Sequence, residues 1–154
     1  MYLLEFVSRL SDVIALEEGY YVRSDGKLKI NPEAPDVVRA NNPGALIWPN
    51  LPIIGDRKHR VSVFPTITAG WVALSLQIRV NVQGREKDDP YPLRGERPMS
   101  LYQFFGGQRD KAGKVLPGGY PGFAKNGKDP RAYAETAAAA LGISPNAPLI
   151  KVIH

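Results

Sequence analysis

Residues 3–22 read LLEFVSRLSDVIALEEGYYV, and this stretch decides how the first part of the chain folds. Its apolar side chains recur at the i, i+3, i+4, i+7 spacing of an amphipathic helix, and Gly19 supplies a stop at the carboxyl end. The sequence therefore predicts a helix that ends just before Gly19. The apolar face of this helix consists of Leu3, Phe6, Val7, Leu10, Val13 and Ile14.

A small β part is predicted after this helix. Residues 20–23 and 27–30 are alternating runs joined by Asp25-Gly26, a pairing typical of a β-hairpin. The proline-rich region that follows is otherwise irregular, with residues 46–48 and 61–64 predicted as short strands. We expect an α+β fold that is mainly α.

Three further helices are predicted from capping signals and apolar spacing. Their N-caps are Thr66, Ser100 and Asp129, and they end near Val82, at Phe105 and before Gly142. Residues 84–98 are charged and rich in proline, so we expect an exposed loop there. We expect a single domain over residues 1–154.

The composition limits the chemistry that is open to this protein. The chain of 154 residues has no cysteine and two histidines, which excludes disulfides, zinc–cysteine sites and thiol nucleophiles. We therefore expect no cofactor and no metal, with carboxylates as the main catalytic groups. Residues 78–154 hold twelve basic and seven acidic side chains and so carry the whole net charge of +5. This excess indicates an anionic partner.

Membranes and nucleic acids are not the expected partners. No apolar run approaches the ~18 residues of a membrane helix. The opening residues 1–5 lack a basic start and a cleavage site, so we expect no signal peptide. No predicted helix concentrates arginine and lysine on one face, which argues against nucleic acid.

Glu17 and Glu18 are the candidate acids. Desolvation at a partly apolar helix end raises the pKa of a carboxyl group, which suits a general acid near neutral pH. At about 100° per residue, Glu17 falls within the apolar stripe and Glu18 at its edge, so geometry favours Glu18. The alternative is that both are solvated surface residues.

Amides and aromatic rings are the candidates for substrate binding. Asn41 and Asn42 offer donors and acceptors together, which suits the hydroxyl and N-acetyl groups of sugars. Their alternative role is an Asn-Pro-Gly turn. Several aromatic residues are candidates to line a carbohydrate groove, with burial in the core as the alternative for each. They are Tyr20, Tyr21, Trp48, Tyr91, Tyr102, Tyr120 and Tyr133, of which we select Tyr20, Tyr120 and Tyr133.

The order of these segments resembles that of a known superfamily. Residues 14–22 are similar to the helix, Glu, Gly, aromatic signature of lysozyme-like muramidases and lytic transglycosylases. Residues 41–46 resemble the Asn-Asn-Pro-Gly-Asn-Leu motif of a phage and prophage branch that includes virion-associated peptidoglycan-degrading structural proteins. In that branch a Phe-x-Thr-x-x-x-Gly motif opens the next helix, matched here by residues 64–70. Residues 100–104 and 129–149 resemble two later motifs.

The resemblance implies a lysozyme-like fold with a small β part beside the cleft. It also implies cleavage of the β-1,4 bond between N-acetylmuramic acid and N-acetylglucosamine in peptidoglycan. The catalytic glutamate carries over to Glu18, with Glu17 as the fallback, and the cleft amides carry over to Asn41 and Asn42. The protein is then expected to be made in the bacterial cytoplasm and to reach the wall in a virion or at lysis, as a monomer or as part of a virion.

The mechanism expected is that of a lytic transglycosylase. The Glu-x8-Asp-x5-Thr triad of phage endolysins is absent, because Lys27 and Glu33 occupy the Asp and Thr positions. Hydrolysis normally needs two carboxylates, so a single acid favours closure of a 1,6-anhydro ring. The alternatives are a hydrolytic muramidase and a non-catalytic wall-binding virion module.

Overall fold

The computed structural model describes residues 1–56, 60–83, 99–107, 109, 111–114 and 129–153. Within these residues the fold is α+β and mainly α, as predicted, with helices joined by two small antiparallel sheets. No helix among them is long and apolar enough to cross a bilayer. The predicted loop at 84–98 and Tyr120 lie outside the described residues. In chain order the elements are α1 (Leu3–Glu17), β1 (Tyr21–Ser24), β2 (Lys27–Ile30), α2 (Pro35–Arg39), β3 (Ile53–Ile54), β4 (Val61–Ser62), α3 (Ile67–Gln83), α4 (Leu101–Gly106), α5 (Pro130–Leu141) and α6 (Leu149–Val152).

The three helices with predicted N-caps begin directly after those residues. The hydroxyl of Thr66 accepts a hydrogen bond from the Ala69 amide at 3.1 Å at the start of α3. Ser100 and Gln103 form a reciprocal capping box on α4. Asp129 accepts from the Arg131 amide at 3.0 Å to begin α5, which ends at the left-handed Gly142.

The predicted hairpin is confirmed, and its turn has the expected chemistry. β1 and β2 pair antiparallel from Tyr21 opposite Ile30 to Ser24 opposite Lys27. Asp25 and Gly26 have φ values of 54° and 73°, the positive angles that a tight turn between two strands requires.

Two parts of the sequence prediction are wrong. Residues 46–48 form no strand: β4 reaches them through one backbone bond, from the Ser62 amide to the Leu46 carbonyl at 3.0 Å, while the Trp48 amide donates to the Ser62 hydroxyl at 2.7 Å in place of a ladder bond. The helices α2 and α6 were not predicted. Each is short and begins beside a proline, a signal that also marks a turn.

The described chain divides into two compact units, with boundaries inside α1 and α3. The central unit is Leu10–Leu76, and the terminal unit is Met1–Arg9 with Gln77–His154. The expected single domain over residues 1–154 stays a prediction.

The terminal unit is built on α4 packed against α5. Ala134, Ala137 and Ala138 lie on the buried face of α5, and the Phe105 ring of α4 has its centroid 4.2 Å from that of Tyr133 on the same face. Arg9 donates to the Ala140 carbonyl at 2.8 Å near the end of α5, where the helix dipole favours a cation.

The central unit has its own buried cluster. Side chains from α1, α2, β4 and the loop between α1 and β1 pack together there, so this cluster places the segment that contains Glu18 beside the turn that contains Asn41 and Asn42. Its buried members are Ala15, Tyr20, Val37, Ala40 and Val61.

Candidate functional site

Glu18 follows the last residue of α1, where the chain turns away from the helix. Its amide still donates to the Ile14 carbonyl at 2.8 Å, and Gly19 donates to the Leu16 carbonyl at 3.2 Å. The turn requires φ of +82° at residue 19, a conformation that glycine adopts without a steric penalty. Glu18 is half-buried, and its Oε1 atom is shielded from solvent. A single carboxyl group thus spans the boundary between the protein interior and water.

Glu17, the fallback acid, is the last residue of α1 and is also half-buried. The two glutamates therefore differ in backbone position, since Glu17 lies within the helix and Glu18 on the turn that ends it. The choice of Glu18 stays a prediction that a pair of matched substitutions can decide.

Asn42 is a structural residue in the described chain. It is fully buried, and its Nδ2 atom donates to the carbonyls of Leu46 at 2.9 Å and Ser62 at 2.8 Å. Its Oδ1 atom accepts from the Leu46 amide at 2.9 Å. A side chain engaged on both donors and on its acceptor has no group left for a sugar. We therefore assign Asn42 to the scaffold of the turn and correct the expectation that it contacts substrate.

Asn41 differs from its neighbour in exposure and in backbone conformation. It is half-buried and left-handed, with φ of 53°. Its Nδ2 atom donates to the Phe64 carbonyl at 3.1 Å, and within the described residues no donor reaches its Oδ1 atom. Asn41 thus keeps an acceptor that can meet a ligand, and the sequence-based prediction for this residue remains open.

Gly70 explains why residues 41–46 and 64–70 belong together. A Cβ atom at Gly70 would overlap the carbonyl oxygen of Asn41 and would lie 3.1 Å from Cδ of Pro43. Because glycine has no Cβ, α3 approaches the turn closely enough for backbone contact. The two sequence motifs therefore form one packed substructure.

Tyr20 is a core residue. Its side chain is 3% exposed, and its ring meets Tyr21 and Trp71 edge-on, with centroids 5.2 and 5.8 Å away. A ring buried to this extent cannot lie under a sugar. The expectation that Tyr20 lines a groove is therefore corrected, because Tyr21 and Trp71 cover it.

Tyr133 belongs to the terminal unit and is also a core residue. It is 4% exposed and stacks on Phe105 from its position on the buried face of α5. The expectation of a substrate contact is corrected here for the same physical reason. Tyr120, the third predicted groove residue, lies outside the described residues.

Sequence reasoning missed Asp12 as a candidate, although it is a half-buried carboxylate on α1 in the central unit. Burial raises the pKa of Asp12 above its ordinary value of 3.8. Burial, then the charge of Asp12, and then Tyr20 raise the pKa of the Tyr21 hydroxyl above its ordinary value of 10.0. The sequence feature that could have identified Asp12 is its position next to the apolar stripe of α1.

In the described part of the chain, no group of three or more histidine, aspartate or glutamate side chains lies close enough together to hold a metal ion. What the central unit does offer is a glutamate at a helix end, an amide acceptor, and two half-buried aromatic rings beside an aspartate. Comparison of the chain with protein-family models, with curated proteins and with solved structures gives no match.

Proposed function

We propose that this protein is a lysozyme-like enzyme that cleaves the β-1,4 bond between N-acetylmuramic acid and N-acetylglucosamine, as a lytic transglycosylase with Glu18 as its acid. The observation that supports this most strongly is the position of Glu18, which ends α1 with one carboxyl oxygen shielded from solvent. The substrate is the glycan strand of bacterial peptidoglycan.

The surroundings of Glu18 suit an acid that must hold a proton before it reacts. The carboxyl end of a helix carries the negative end of the helix dipole, which disfavours a second negative charge. Removing Oε1 from water disfavours the charged form further. A general acid needs a protonated carboxyl group, and the carboxyl oxygen shielded from solvent is the feature that supports this role for Glu18.

The proposed reaction uses this carboxyl group twice, first as an acid and then as a base. Glu18 donates it to the glycosidic oxygen as the bond from that oxygen to C1 of the muramic residue breaks. The resulting carboxylate then takes the proton of the muramic C6 hydroxyl while the C6 oxygen bonds to C1 and closes a 1,6-anhydro ring. The acid is regenerated and no water enters.

Asn41 is proposed to hold the reacting sugar. Its Oδ1 atom accepts from an N-acetyl N–H or a hydroxyl group, while its Nδ2 atom stays bonded to the Phe64 carbonyl. Because the backbone at Asn41 is fixed by the contact with Gly70, the amide is positioned before substrate arrives.

A hydrolytic muramidase is the second candidate, and Asp12 is the observation that favours it. Hydrolysis uses two carboxyl groups, one of which has a raised pKa. Asp12 lies on α1, six residues before Glu18 in the chain. The two mechanisms differ in product, since hydrolysis leaves a reducing end in place of the anhydro ring.

The net positive charge of the chain is consistent with peptidoglycan as the substrate. Peptidoglycan carries lactyl and peptide carboxylates, which a net charge of +5 attracts. We propose that the protein reaches this polymer as part of a virion or after lysis of the cell that makes it.

The test is the clearing of a suspension of purified cell walls by wild type, Glu18→Gln and Glu17→Gln. General acid catalysis contributes about 10²–10⁴-fold in rate, so Glu18→Gln should lose at least about 100-fold. Glu17→Gln is the matched control, one residue away with the same change of charge and shape, and should keep most of the activity. Full activity in Glu18→Gln, or no clearing by wild type, would refute the proposal.

A further inference from the structure

The β1–β2 hairpin turns one of its two faces away from the core. Directly opposed residues of an antiparallel pair lie on the same face, and successive residues alternate between faces. The pairs Val22–Lys29 and Ser24–Lys27 therefore share a face. The other face includes Tyr21, which packs against the buried cluster of the central unit. The face formed by Val22, Ser24, Lys27 and Lys29 thus points away from that cluster, and we call it the hairpin face.

The hairpin face carries two exposed ammonium groups. Lys27 and Lys29 are two residues apart on one strand, so their Cα atoms lie about 7 Å apart. Both are exposed, and so is Val22, the residue opposite Lys29. Within the described ranges no carboxylate forms an ion pair with either lysine. By contrast, three arginines of the described helices each pair with a carboxylate three or four residues away: Arg9, Arg39 and Arg131.

The hairpin as a whole has an excess of positive charge. Residues 21–30 contain three basic side chains and one acidic side chain, that of Asp25 in the turn. The third basic residue, Arg23, is opposite Leu28 and so lies on the other face. Two positive charges beside an aliphatic side chain suit a ligand that carries carboxylates and methyl groups.

The hairpin face lies within reach of Glu18. Val22 follows Glu18 by four residues, so their Cα atoms are at most about 14 Å apart. Lys29 is directly opposite Val22, which adds about 5 Å. An extended peptide spans about 3.3–3.6 Å per residue, so a short peptide that begins on a sugar beside Glu18 can reach both lysines.

We propose that the hairpin face binds the carboxylates of the peptide stem on the muramic acid residue at which Glu18 acts. In peptidoglycan this stem is joined to the lactyl group of the muramic sugar, so its carboxylates are the anions nearest to the bond that is cleaved. Lys27 and Lys29 donate to these carboxylates, and Val22 contacts an alanine methyl group. The inference rests on the proposed function for its substrate and adds a preference for glycan strands that carry stems.

A phosphodiester chain also carries repeated negative charges that attract lysine side chains. The short distance from Glu18 favours the stem, because the stem is attached to the reacting sugar and a phosphodiester chain is not. An oligothymidine is therefore the comparison ligand in the test.

The test is a titration of isotopically labelled wild type with the N-acetylated stem tetrapeptide, followed by the NMR chemical shifts of the backbone amides. The amides of residues 22–29 should shift, and the same peptide with its carboxylates amidated should shift them far less. The double substitution Lys27→Gln/Lys29→Gln should weaken binding by at least about threefold, as expected for the loss of two exposed ion pairs. The spectra also show whether each variant is folded.

Two control variants separate the hairpin face from the charge of the chain in general. Lys111→Gln/Lys151→Gln removes the same charge from two exposed lysines of the terminal unit. Arg23→Gln removes one charge from the opposite face of the hairpin. Both variants should bind the stem within about 1.5-fold of wild type.

The inference is overturned if wild type does not bind the stem, if the amidated peptide binds equally well, or if Lys27→Gln/Lys29→Gln keeps the affinity of wild type. An equal loss in Lys111→Gln/Lys151→Gln would also overturn it, and so would tighter binding of the oligothymidine through the same two lysines. Because the titration involves no cleavage, the two proposals fail separately. Wall clearing by wild type together with full stem affinity in Lys27→Gln/Lys29→Gln refutes the hairpin face alone, whereas stem binding by a protein that clears no walls refutes the catalysis alone.

Discussion

Replacing Gly70 with alanine should disrupt the central unit at one defined point. The new methyl carbon would overlap the carbonyl oxygen of Asn41 and would lie 3.0 Å from the carbonyl carbon of that residue. Neither α3 nor the turn can yield without cost, because the obstacle is backbone and not the end of a flexible side chain. The turn is held in addition by Asn41, which donates to the Phe64 carbonyl, and by Phe64, which donates to the Ala40 carbonyl at 2.9 Å.

The expected change in the free energy of unfolding combines one stabilising contribution with two destabilising ones. Alanine is favoured over glycine inside a helix by about 1 kcal/mol. Overpacking costs about 1–3 kcal/mol, and each hydrogen bond broken as the turn moves away costs about 1 kcal/mol. We expect Gly70→Ala to lower the free energy of unfolding by about 2–4 kcal/mol, against the direction of helix propensity.

The assay is urea denaturation followed by tryptophan fluorescence. Trp48 and Trp71 both lie in the central unit, so their emission reports on the unit that is perturbed. The control is Gly106→Ala at the end of α4, where a Cβ atom would meet its nearest neighbour at an ordinary 3.9 Å. Followed by circular dichroism, that variant should stay within about 0.5 kcal/mol of wild type. Equal stability of Gly70→Ala and wild type would refute the close contact.

Three further perturbations have definite expected outcomes. Asn42→Ala should lower the free energy of unfolding by about 2–6 kcal/mol, since the Leu46 amide and the Ser62 carbonyl are left unpaired at about 1–3 kcal/mol each, whereas the Leu46 carbonyl keeps the Ser62 amide at 3.0 Å; a loss under about 1 kcal/mol in urea denaturation would contradict this. Ala45→Asn should stabilise by about 0.5–1 kcal/mol, because residue 45 has φ of 50° and asparagine tolerates this region better than alanine; a lower thermal midpoint for the variant would contradict this. Burial raises the pKa of Asp12, so the stability that Asp12 contributes is fully present below pH 3.8 and is lost as pH rises through the folded-state value. Asp12→Asn should therefore gain stability relative to wild type from pH 3.8 towards neutrality, and a difference that stays constant across urea titrations at several pH values would argue against the burial of this carboxyl.

Much of the fold could be predicted because local signals agree with one another. The helix at residues 3–17 has a regular apolar stripe and a terminating Gly19, and the helix at 130–141 has Asp129 and Gly142 at its two ends. The hairpin has an Asp-Gly turn, which adopts positive φ readily. In each case the residues that start and stop the element lie next to it in the chain.

The parts that could not be predicted depend on contacts between distant residues. Residues 46–48 have the composition of a strand but form none; their backbone is bonded by the Asn42 side chain and by both the amide and the hydroxyl of Ser62. The burial of Asn42 follows from partners four and twenty residues away, which no local pattern reveals.

The same reasoning applies to the aromatic residues of the site. Tyr20 and Tyr21 are adjacent and chemically identical, and both were candidates for substrate contact. Tyr20, the one selected, is buried, whereas Tyr21 is half-buried, and no local pattern distinguishes the two. The choice of Glu18 depended on its position at the edge of the helix stripe and stays a prediction, because Glu17 and Glu18 are both half-buried.

The most direct test of the central claim is mass spectrometry of the soluble fragments released from purified peptidoglycan. Wild type is predicted to release disaccharide peptides that end in 1,6-anhydromuramic acid, each lighter by one water than the hydrolytic product, and Glu18→Gln is predicted to release almost none. Fragments with reducing ends would assign the protein to the hydrolases and would implicate a second carboxyl group such as Asp12. No fragments from wild type, or the same fragments from Glu18→Gln, would contradict the account.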